Sequence, residues 1–259
     1  MRKLSALCLI LSLTGCEAAD PHLASALATA MAKSTNQTTQ PTQKTSSANL
    51  PRTEKPQTVF RVASAPDESC DSTDPRLICL GLKYIVYEDG SLNSETGSLK
   101  AISNVHEVNK IWEPCQIRFS IRDYALIKPS EYGLKQKTSD YQQLQEIRKV
   151  FQPKSHERNN LLLVVTDNWN RSGSLGNSWA NAWTNLPGES LLGSVLERHV
   201  GDDITIIAHE LGHYLSLDHE ADWKNLMNPL IFENSRTLDR SQCASARWAA
   251  GKYFGVLEP

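Results

Sequence analysis

The stretch AHELGHYLSLDH, Ala208 to His219, concentrates three histidines and a glutamate within twelve residues. The apolar pattern around it predicts a helix over residues 201–217, with Asp202 or Asp203 as its N-cap. On such a helix His209 and His213 are four residues apart and project from one face. Two imidazoles at that spacing can bind one metal ion, and Zn²⁺ is the metal that suits imidazole ligands and hydrolytic chemistry.

Two residues further along extend the pattern. His219 follows His213 by six positions, so the helix must end and the chain must turn back before His219 can reach the same metal. Met227 follows eight positions later, in NLMNP. The stretch from Ala208 to Pro229 resembles the metzincin zinc metallopeptidases, which carry H-E-x-x-H-x-x-G-x-x-H and then a methionine turn. The short distance to NLMNP is most similar to the matrixin branch, whereas Glu220 matches the residue that astacins carry after the third histidine.

The resemblance implies a role for each of these residues. His209, His213 and His219 would be the zinc ligands, with a water in the fourth position. Glu210 would be the general base that takes the proton of that water. Met227 would form a structural floor beneath the metal and would not be a ligand. An edge strand before the active-site helix, either NSWANAW or SLLGSVL, would pair with an extended peptide substrate, and Pro229 and Leu230 would help to wall the pocket that follows the cut.

Ser216 departs from the family pattern, which has glycine at this position because the helix ends there in a left-handed turn. A residue other than glycine in that conformation costs about 1–2 kcal/mol. Structural zinc sites are worth roughly 10–16 kcal/mol in small peptides. We therefore expect Ser216 to adopt a positive φ and to weaken the site slightly without abolishing it.

Hydrophobic periodicity predicts how the rest of the domain is built. Strands are expected at LKYIVYED, CQIRFSIRDY, NLLLVVTDN, NSWANAW and SLLGSVL, and helices at SLKAISNVHEVNKIWEPC, DYQQLQEIRKVF and RSQCASARWAAGKYF. The continuous apolar run LLLVV is typical of a central strand that is covered on both faces. We expect an α+β domain with α/β-like alternation. The resemblance makes it a metzincin-type zincin domain with a mixed, mostly parallel sheet, an active-site helix and a C-terminal helix.

The N-terminus predicts export and a lipid anchor. Residues 1–15 have a basic start and a short apolar region, which is typical of a signal peptide. Leu13-Thr14-Gly15-Cys16 resembles the lipobox of bacterial lipoproteins, in which Cys16 would be acylated after cleavage. Glu17, where an aspartate often signals inner-membrane retention, favours the outer membrane of the cell envelope. A plain secretory signal with a chance cysteine is the alternative.

Composition and the remaining cysteines set further limits. Residues 16–58 would be the lipidated N-terminus and a disordered tether, and residues 59–259 the metallopeptidase domain. A formal net charge of −2 lacks the basic excess that nucleic-acid binding requires. The four other cysteines of the exported chain predict two disulfides, and we favour Cys70–Cys79 with Cys115–Cys243. A four-cysteine zinc site is the weaker alternative, because the C-x₂-C spacing is missing.

These features predict a monomeric, membrane-anchored, extracytoplasmic zinc endopeptidase, a hydrolase whose partners are protein or peptide substrates and the membrane that holds Cys16. Two alternatives stay open. One is a lipoprotein binding module that keeps a metallopeptidase fold with little or no turnover. The other is a cell-wall amidase that acts on peptide crosslinks with the same metal chemistry.

Overall fold

The structure is a computed structural model that describes residues 74–254, apart from residues 92, 153–159, 188–191 and 233. The predicted signal peptide, Cys16 and the tether lie outside the described residues. So does Cys70, the partner predicted for Cys79. The helices are α1 (Ser94–Trp112), α2 (Tyr141–Phe151), α3 (Ile204–Tyr214) and α4 (Arg240–Phe254). The strands are β1 (Ile78–Tyr87), β2 (Ile117–Ile127), β3 (Asn160–Val165), β4 (Ala182–Thr184) and β5 (Ser194–Leu196).

The strands form one five-stranded sheet in the order β2-β1-β3-β5-β4. All neighbours are parallel except β4, which runs antiparallel to β5 and forms one edge of the sheet. A parallel sheet must be covered on both faces, since the crossover helices lie on them. The mixed, mostly parallel sheet that the sequence predicted is therefore confirmed.

Strand β3 shows how the two faces are filled. Leu161, Leu163 and Val165 belong to one buried cluster, and Leu162 and Val164 belong to another. The first cluster contains side chains of α1, α3 and α4, and the second contains those of α2. Successive residues of a strand point to opposite faces, so the apolar run covers the sheet on both sides and produces three layers.

Helix α3 is fixed at its start and along its length. The Asp203 side chain caps it by accepting hydrogen bonds from the backbone N–H groups of Thr205 and Ile206, which decides between the two predicted caps. The indole N–H of the fully buried Trp112, at the end of α1, donates to the Ala208 carbonyl over 3.3 Å. Helix α3 is thus fixed to the end of α1 directly before the first histidine.

The predicted disulfide between Cys115 and Cys243 is present and joins the end of α1 to α4 across 128 residues of sequence. Closing so long a loop in the unfolded chain gives a stabilisation of about 5 kcal/mol in the chain-entropy treatment. The outer position of α4 is therefore fixed covalently as well as by packing. None of the helices within the described ranges is long and apolar enough to span a membrane.

The strand predicted at NSWANAW, residues 177–183, is wrong over most of its length. Residues 174–177 form a short 3₁₀ turn, and strand β4 begins only at Ala182. The cause is Arg171, whose guanidinium donates to the carbonyls of Ser178 and Ala180 over 3.4 and 3.0 Å. These carbonyls are satisfied by a side chain and need no neighbouring strand. SLLGSVL is likewise a strand only at Ser194–Leu196, and its first two residues lie outside the described ranges.

Candidate active site

Helix α3 carries the first two histidines on one face. The ring centroids of His209 and His213 lie 4.7 Å apart, with the rings nearly perpendicular. His209 is buried at 1% exposure, and the Leu217 carbonyl covers one edge of the His213 ring. The four-residue spacing in the sequence therefore produces the paired imidazoles that it predicts.

The helix ends in a left-handed turn at Ser216, which has a φ of 62°. Two backbone hydrogen bonds close the turn, from Ser216 N–H to the His213 carbonyl and from Leu217 N–H to the Gly212 carbonyl, both over 3.0 Å. This is the Schellman pattern that usually has glycine at the left-handed position. The positive φ predicted for Ser216 is confirmed.

The reversed chain brings the third histidine to the first two. The His219 ring centroid lies 5.4 Å from that of His209 and 4.8 Å from that of His213. One ring nitrogen from each residue lies within 4.8 Å of the other two. Within the described ranges, this is the only group of three or more histidine, cysteine or carboxylate side chains that could hold a metal ion.

Hydrogen bonds fix which ring nitrogen of each histidine is available. The Nδ1 atoms of His209 and His213 lie 2.7 and 2.8 Å from the carbonyl oxygens of Leu226 and Leu217. A carbonyl can only accept, so both Nδ1 atoms carry the hydrogen and both Nε2 atoms keep a free lone pair. The Nε2 atom of His219 is buried and has no hydrogen-bond partner among the described residues.

Burial keeps all three rings neutral. Desolvation, together with the neighbouring His213, lowers the pKa of His209 to about 3. Desolvation also lowers the pKa of His213, and it lowers the pKa of His219 to about 4. At neutral pH, therefore, none of the three imidazoles carries the second proton, which would occupy the nitrogen that a metal ion needs.

These residues fit a zinc ion. Zinc in hydrolytic sites takes three protein ligands and leaves one position open, and ligating histidines donate their other N–H to a carbonyl or carboxylate. Here His209 and His213 make such bonds, and the unpartnered Nε2 of His219 lies beside them. Three neutral nitrogen donors without a thiolate suit Zn²⁺.

The segment around Met227 supports the histidines from below. Met227 is fully buried, and a Cβ atom added at Gly212 of α3 would overlap its sulfur. The Met227 carbonyl accepts the Glu220 N–H over 2.8 Å, directly after His219. The neighbouring Leu226 carbonyl hydrogen-bonds to the His209 ring. This one turn therefore fixes His209 directly and fixes the backbone next to His219.

A buried amide pair ties the Met227 turn to α4. Asn225 and Gln242 exchange two side-chain hydrogen bonds of 2.8 and 3.0 Å, and the Asn225 oxygen also accepts the Met227 N–H. Gln242 precedes Cys243, which forms the disulfide with Cys115. The turn beneath the histidines is thus connected to the covalent link between α1 and α4.

Glu210 lies on α3 beside His209 and is 4% exposed. Burial raises the pKa of its carboxyl group to about 7, while a hydrogen bond with the Thr184 hydroxyl and the charge of Arg148 act in the opposite direction. A carboxyl group with a pKa near neutrality can exchange protons at physiological pH, as a general base must.

The structure brings the ring nitrogens of His209, His213 and His219 together, as the sequence predicts. It places Glu210 on the same helix as the first two and Met227 against Gly212 of that helix, and the roles predicted for these two residues stay predictions. Sequence reasoning missed the contact between Glu210 and Thr184, because 26 residues separate them and no local pattern marks the threonine. It also missed that position 212 requires glycine because a side chain there would overlap the Met227 sulfur. The alternation of Ala182, Trp183 and Thr184 could have indicated that Thr184 points to the face opposite Trp183, but not that it meets Glu210.

Comparison with known proteins agrees with this geometry. Residues 99–220 match the family described as metallo-peptidase family M12B, reprolysin-like, which supports a metzincin-type peptidase. The matched range includes the three histidines and Glu210 but ends before Met227. The matrixin-like branch stays a prediction, since the family that matches is the reprolysin-like one. No curated protein matches the chain.

Among solved structures, the chain is similar to the crystal structure of metalloproteinase-II from Bacteroides fragilis. The identity is 14%, the TM-score is 0.44, and the similarity covers 74% of this chain. The chain spans 57% of the length of that protein.

Proposed function

We propose that the chain is a zinc-dependent endopeptidase of metzincin type that hydrolyses peptide bonds with Glu210 as general base. The observation that carries the proposal is the convergence of three imidazole nitrogens within 4.8 Å of one another, with the buried carboxyl group of Glu210 directly after the first of them on α3. The match of residues 99–220 to the reprolysin-like metallopeptidase family supports the same reaction class.

The chain's own residues have distinct tasks in this reaction. His209, His213 and His219 would hold Zn²⁺, which when bound lowers the pKa of a water molecule and polarises the scissile carbonyl. Glu210 accepts the proton of the attacking water at its Oε1 atom, to which no described residue forms a hydrogen bond. Glu210 then donates this proton to the nitrogen of the leaving amine as the peptide bond breaks.

Strand β4 is the element that would hold the substrate. It is an edge strand, so one side of its backbone has no strand partner among the described residues. An extended peptide can pair with such an edge through main-chain hydrogen bonds. Leu230, which is 50% exposed and follows the Met227 turn, would contribute to the pocket for the residue after the cleaved bond.

The test combines metal content with turnover. The purified chain should contain one zinc ion and should degrade casein, and a chelator should stop the reaction until zinc is restored. Glu210→Gln should retain zinc but lose nearly all turnover, because it removes the proton acceptor and none of the ligands. Glu146→Gln, on the exposed side of α2, is the matched control and should keep both properties.

Three outcomes separate the candidate functions. A chain that binds no zinc after incubation with the metal would contradict the central claim. Zinc binding without proteolysis would indicate a binding module. Cleavage of purified peptidoglycan crosslinks with no effect on casein would indicate an amidase.

The proposed location is the bacterial cell envelope, with the chain attached by lipid on Cys16, in the outer membrane. The support is the basic and apolar N-terminus followed by Leu13-Thr14-Gly15-Cys16. Cys16→Ser removes the acylated thiol, so the variant should leave the membrane fraction. A variant that still sediments with membranes after a high-salt wash would contradict lipid anchorage.

A further inference from the structure

We propose that Thr184 is a positioning residue for Glu210, which holds one carboxylate oxygen so that the other faces the reacting atoms. This inference rests on the function proposed above. It assigns to the edge strand a part in the chemistry in addition to its part in binding the peptide.

The contact itself is direct. The Thr184 hydroxyl, on β4, forms a hydrogen bond with the Oε2 atom of Glu210, on α3. Among the described residues it is the only group that hydrogen-bonds to this carboxyl group. Glu210 has three side-chain torsions, and a second fixed point near the carboxylate restricts the last of them.

The donor in this contact follows from counting hydrogens. The Thr184 hydroxyl also lies 2.7 Å from the hydroxyl of Ser194, its register partner on β5. A hydroxyl has one hydrogen, and the carboxylate that acts as a base can only accept. Thr184 therefore donates to Glu210, and the fully buried Ser194 donates to Thr184. The result is a chain of two hydroxyls that ends on Glu210.

The strand around Thr184 is itself held in place. The guanidinium of the fully buried Arg148 lies 3.7 Å above the Trp183 ring, donates to the Trp183 carbonyl over 3.5 Å, and hydrogen-bonds to the Asn185 side chain. Both neighbours of Thr184 are thus fixed by one side chain from α2. A β-branched residue on a fixed strand has little freedom at χ1, so its hydroxyl is directed at Glu210 before substrate binds.

The decisive variant is Thr184→Val, which keeps the shape and removes the hydroxyl. We expect kcat for a quenched fluorescent peptide to fall about 10- to 100-fold, which is part of the roughly 10²- to 10⁴-fold that general-base catalysis contributes. We expect KM to change less than about twofold and zinc content to stay at the parent level, because the backbone of β4 and the three histidines are untouched. Thr184→Ser, which retains the hydroxyl, should restore most of the lost kcat.

Two further variants separate positioning from folding. Thr166→Val removes a buried hydroxyl at the end of β3 that does not contact Glu210, so it should lower stability without lowering kcat. Ser194→Ala removes the second hydroxyl of the chain and should lower kcat about three- to tenfold. Ser194→Ala also tests the inference if Thr184→Val does not fold.

A binding measurement complements turnover. A peptide hydroxamate presents a hydroxyl proton that an adjacent carboxylate can accept, whereas its O-methyl derivative does not. On the zinc-loaded chain, Thr184→Val should weaken calorimetric binding of the hydroxamate about tenfold and leave the O-methyl compound nearly unchanged.

Each outcome has one meaning. A parent chain that holds no zinc or cleaves nothing overturns the proposed function and this inference with it. If the parent cleaves, a Thr184→Val variant with kcat within twofold of the parent overturns the inference alone. Loss of zinc in that variant, or a change confined to KM, would show that Thr184 supports the metal ligands or the substrate and not Glu210.

Discussion

Replacing Ser216 tests how the turn at the end of α3 builds the site. Its left-handed conformation returns the chain so that His219 reaches the other two histidines, and it places the Leu217 carbonyl against Nδ1 of His213. The turn therefore sets the position of His219 through the path of the backbone and the orientation of His213 through a hydrogen bond. Ser216→Gly relieves the conformational cost of a side chain there, Ser216→Val increases it, and Ser216→Ala removes only the hydroxyl.

The magnitudes follow from the observed φ of 62°. A residue with a Cβ atom loses about 1–2 kcal/mol in this region, and glycine regains that amount. Glycine also gives the unfolded chain more freedom, which costs about 0.5–1 kcal/mol. Ser216→Gly should thus raise the free energy of unfolding by roughly 0 to 1.5 kcal/mol, or up to about 3–6 °C in Tm for a domain of this size.

The other two variants bracket this result. Ser216→Ala should match the parent, since no described residue hydrogen-bonds to the serine hydroxyl. Ser216→Val should lose about 1–2 kcal/mol, because a β-branched residue is an outlier at this φ. If the turn relaxes without metal, that loss also weakens zinc binding about tenfold.

The assay is a thermal melt of each variant with and without zinc, combined with zinc titration against a competing chelator. The expected order of zinc affinity is glycine at or above serine and alanine, and valine last. A glycine variant that binds zinc clearly less tightly than the parent would refute the strain argument. An alanine variant as weak as valine would show that the hydroxyl itself contributes.

Two other changes probe the same site. Gly212→Ala should improve helix propensity by about 1 kcal/mol but force the new methyl group against the Met227 sulfur, for a net loss of about 1–2 kcal/mol in stability and weaker zinc binding. Denaturant unfolding measures the change in stability. A more stable variant would mean that the Met227 turn shifts to admit the methyl group at no free-energy cost. Without metal, the domain should lose stability as the pH falls from about 6.5 toward 4, because the lowered pKa values of His209, His213 and His219 let the unfolded chain take up these protons first. The raised pKa of Glu210 opposes this between pH 7 and 4.5, so His209 and His219 leave a net difference of about one proton and a slope of about 1.4 kcal/mol per pH unit, to which His213 adds in the same direction. Urea titrations at several pH values should show this slope, His219→Gln should reduce it, and a flat profile would contradict the burial of neutral histidines.

Much of the fold could be predicted because its signals are local. The apolar run of β3 and the helical spacing in α1, α2 and α4 each fall within a short window, and those elements formed within a few residues of their predicted bounds. Strand β4 was misjudged because its beginning depends on Arg171, whose side chain binds the backbone carbonyls seven and nine residues further along the chain. A pattern read over a short window does not show that a side chain will bind backbone carbonyls in place of a neighbouring strand.

The candidate site divides in the same way. The histidines, Glu210 and Ser216 lie within eleven residues, so helical geometry and turn chemistry were enough to predict their arrangement. The supports of the site come from elsewhere in the chain: Thr184 from β4, and Gln242 from α4. Such contacts depend on how the layers pack, which a single sequence does not encode in any local spacing.

The Met227 turn is linked through α4 to Cys115, so its support comes from residues that follow all three histidines in the sequence. His209, His213 and His219 all precede Gln242 in the sequence, and Gln242 hydrogen-bonds to the Asn225 side chain, which also accepts the Met227 N–H. The disulfide then closes on the residue that follows. The support of the Met227 turn therefore depends on α4, and the disulfide between Cys115 and Cys243 fixes α4 covalently to the end of α1. A chain that ended before Gln242 would carry all three histidines but would lack the amide pair that holds the Met227 turn.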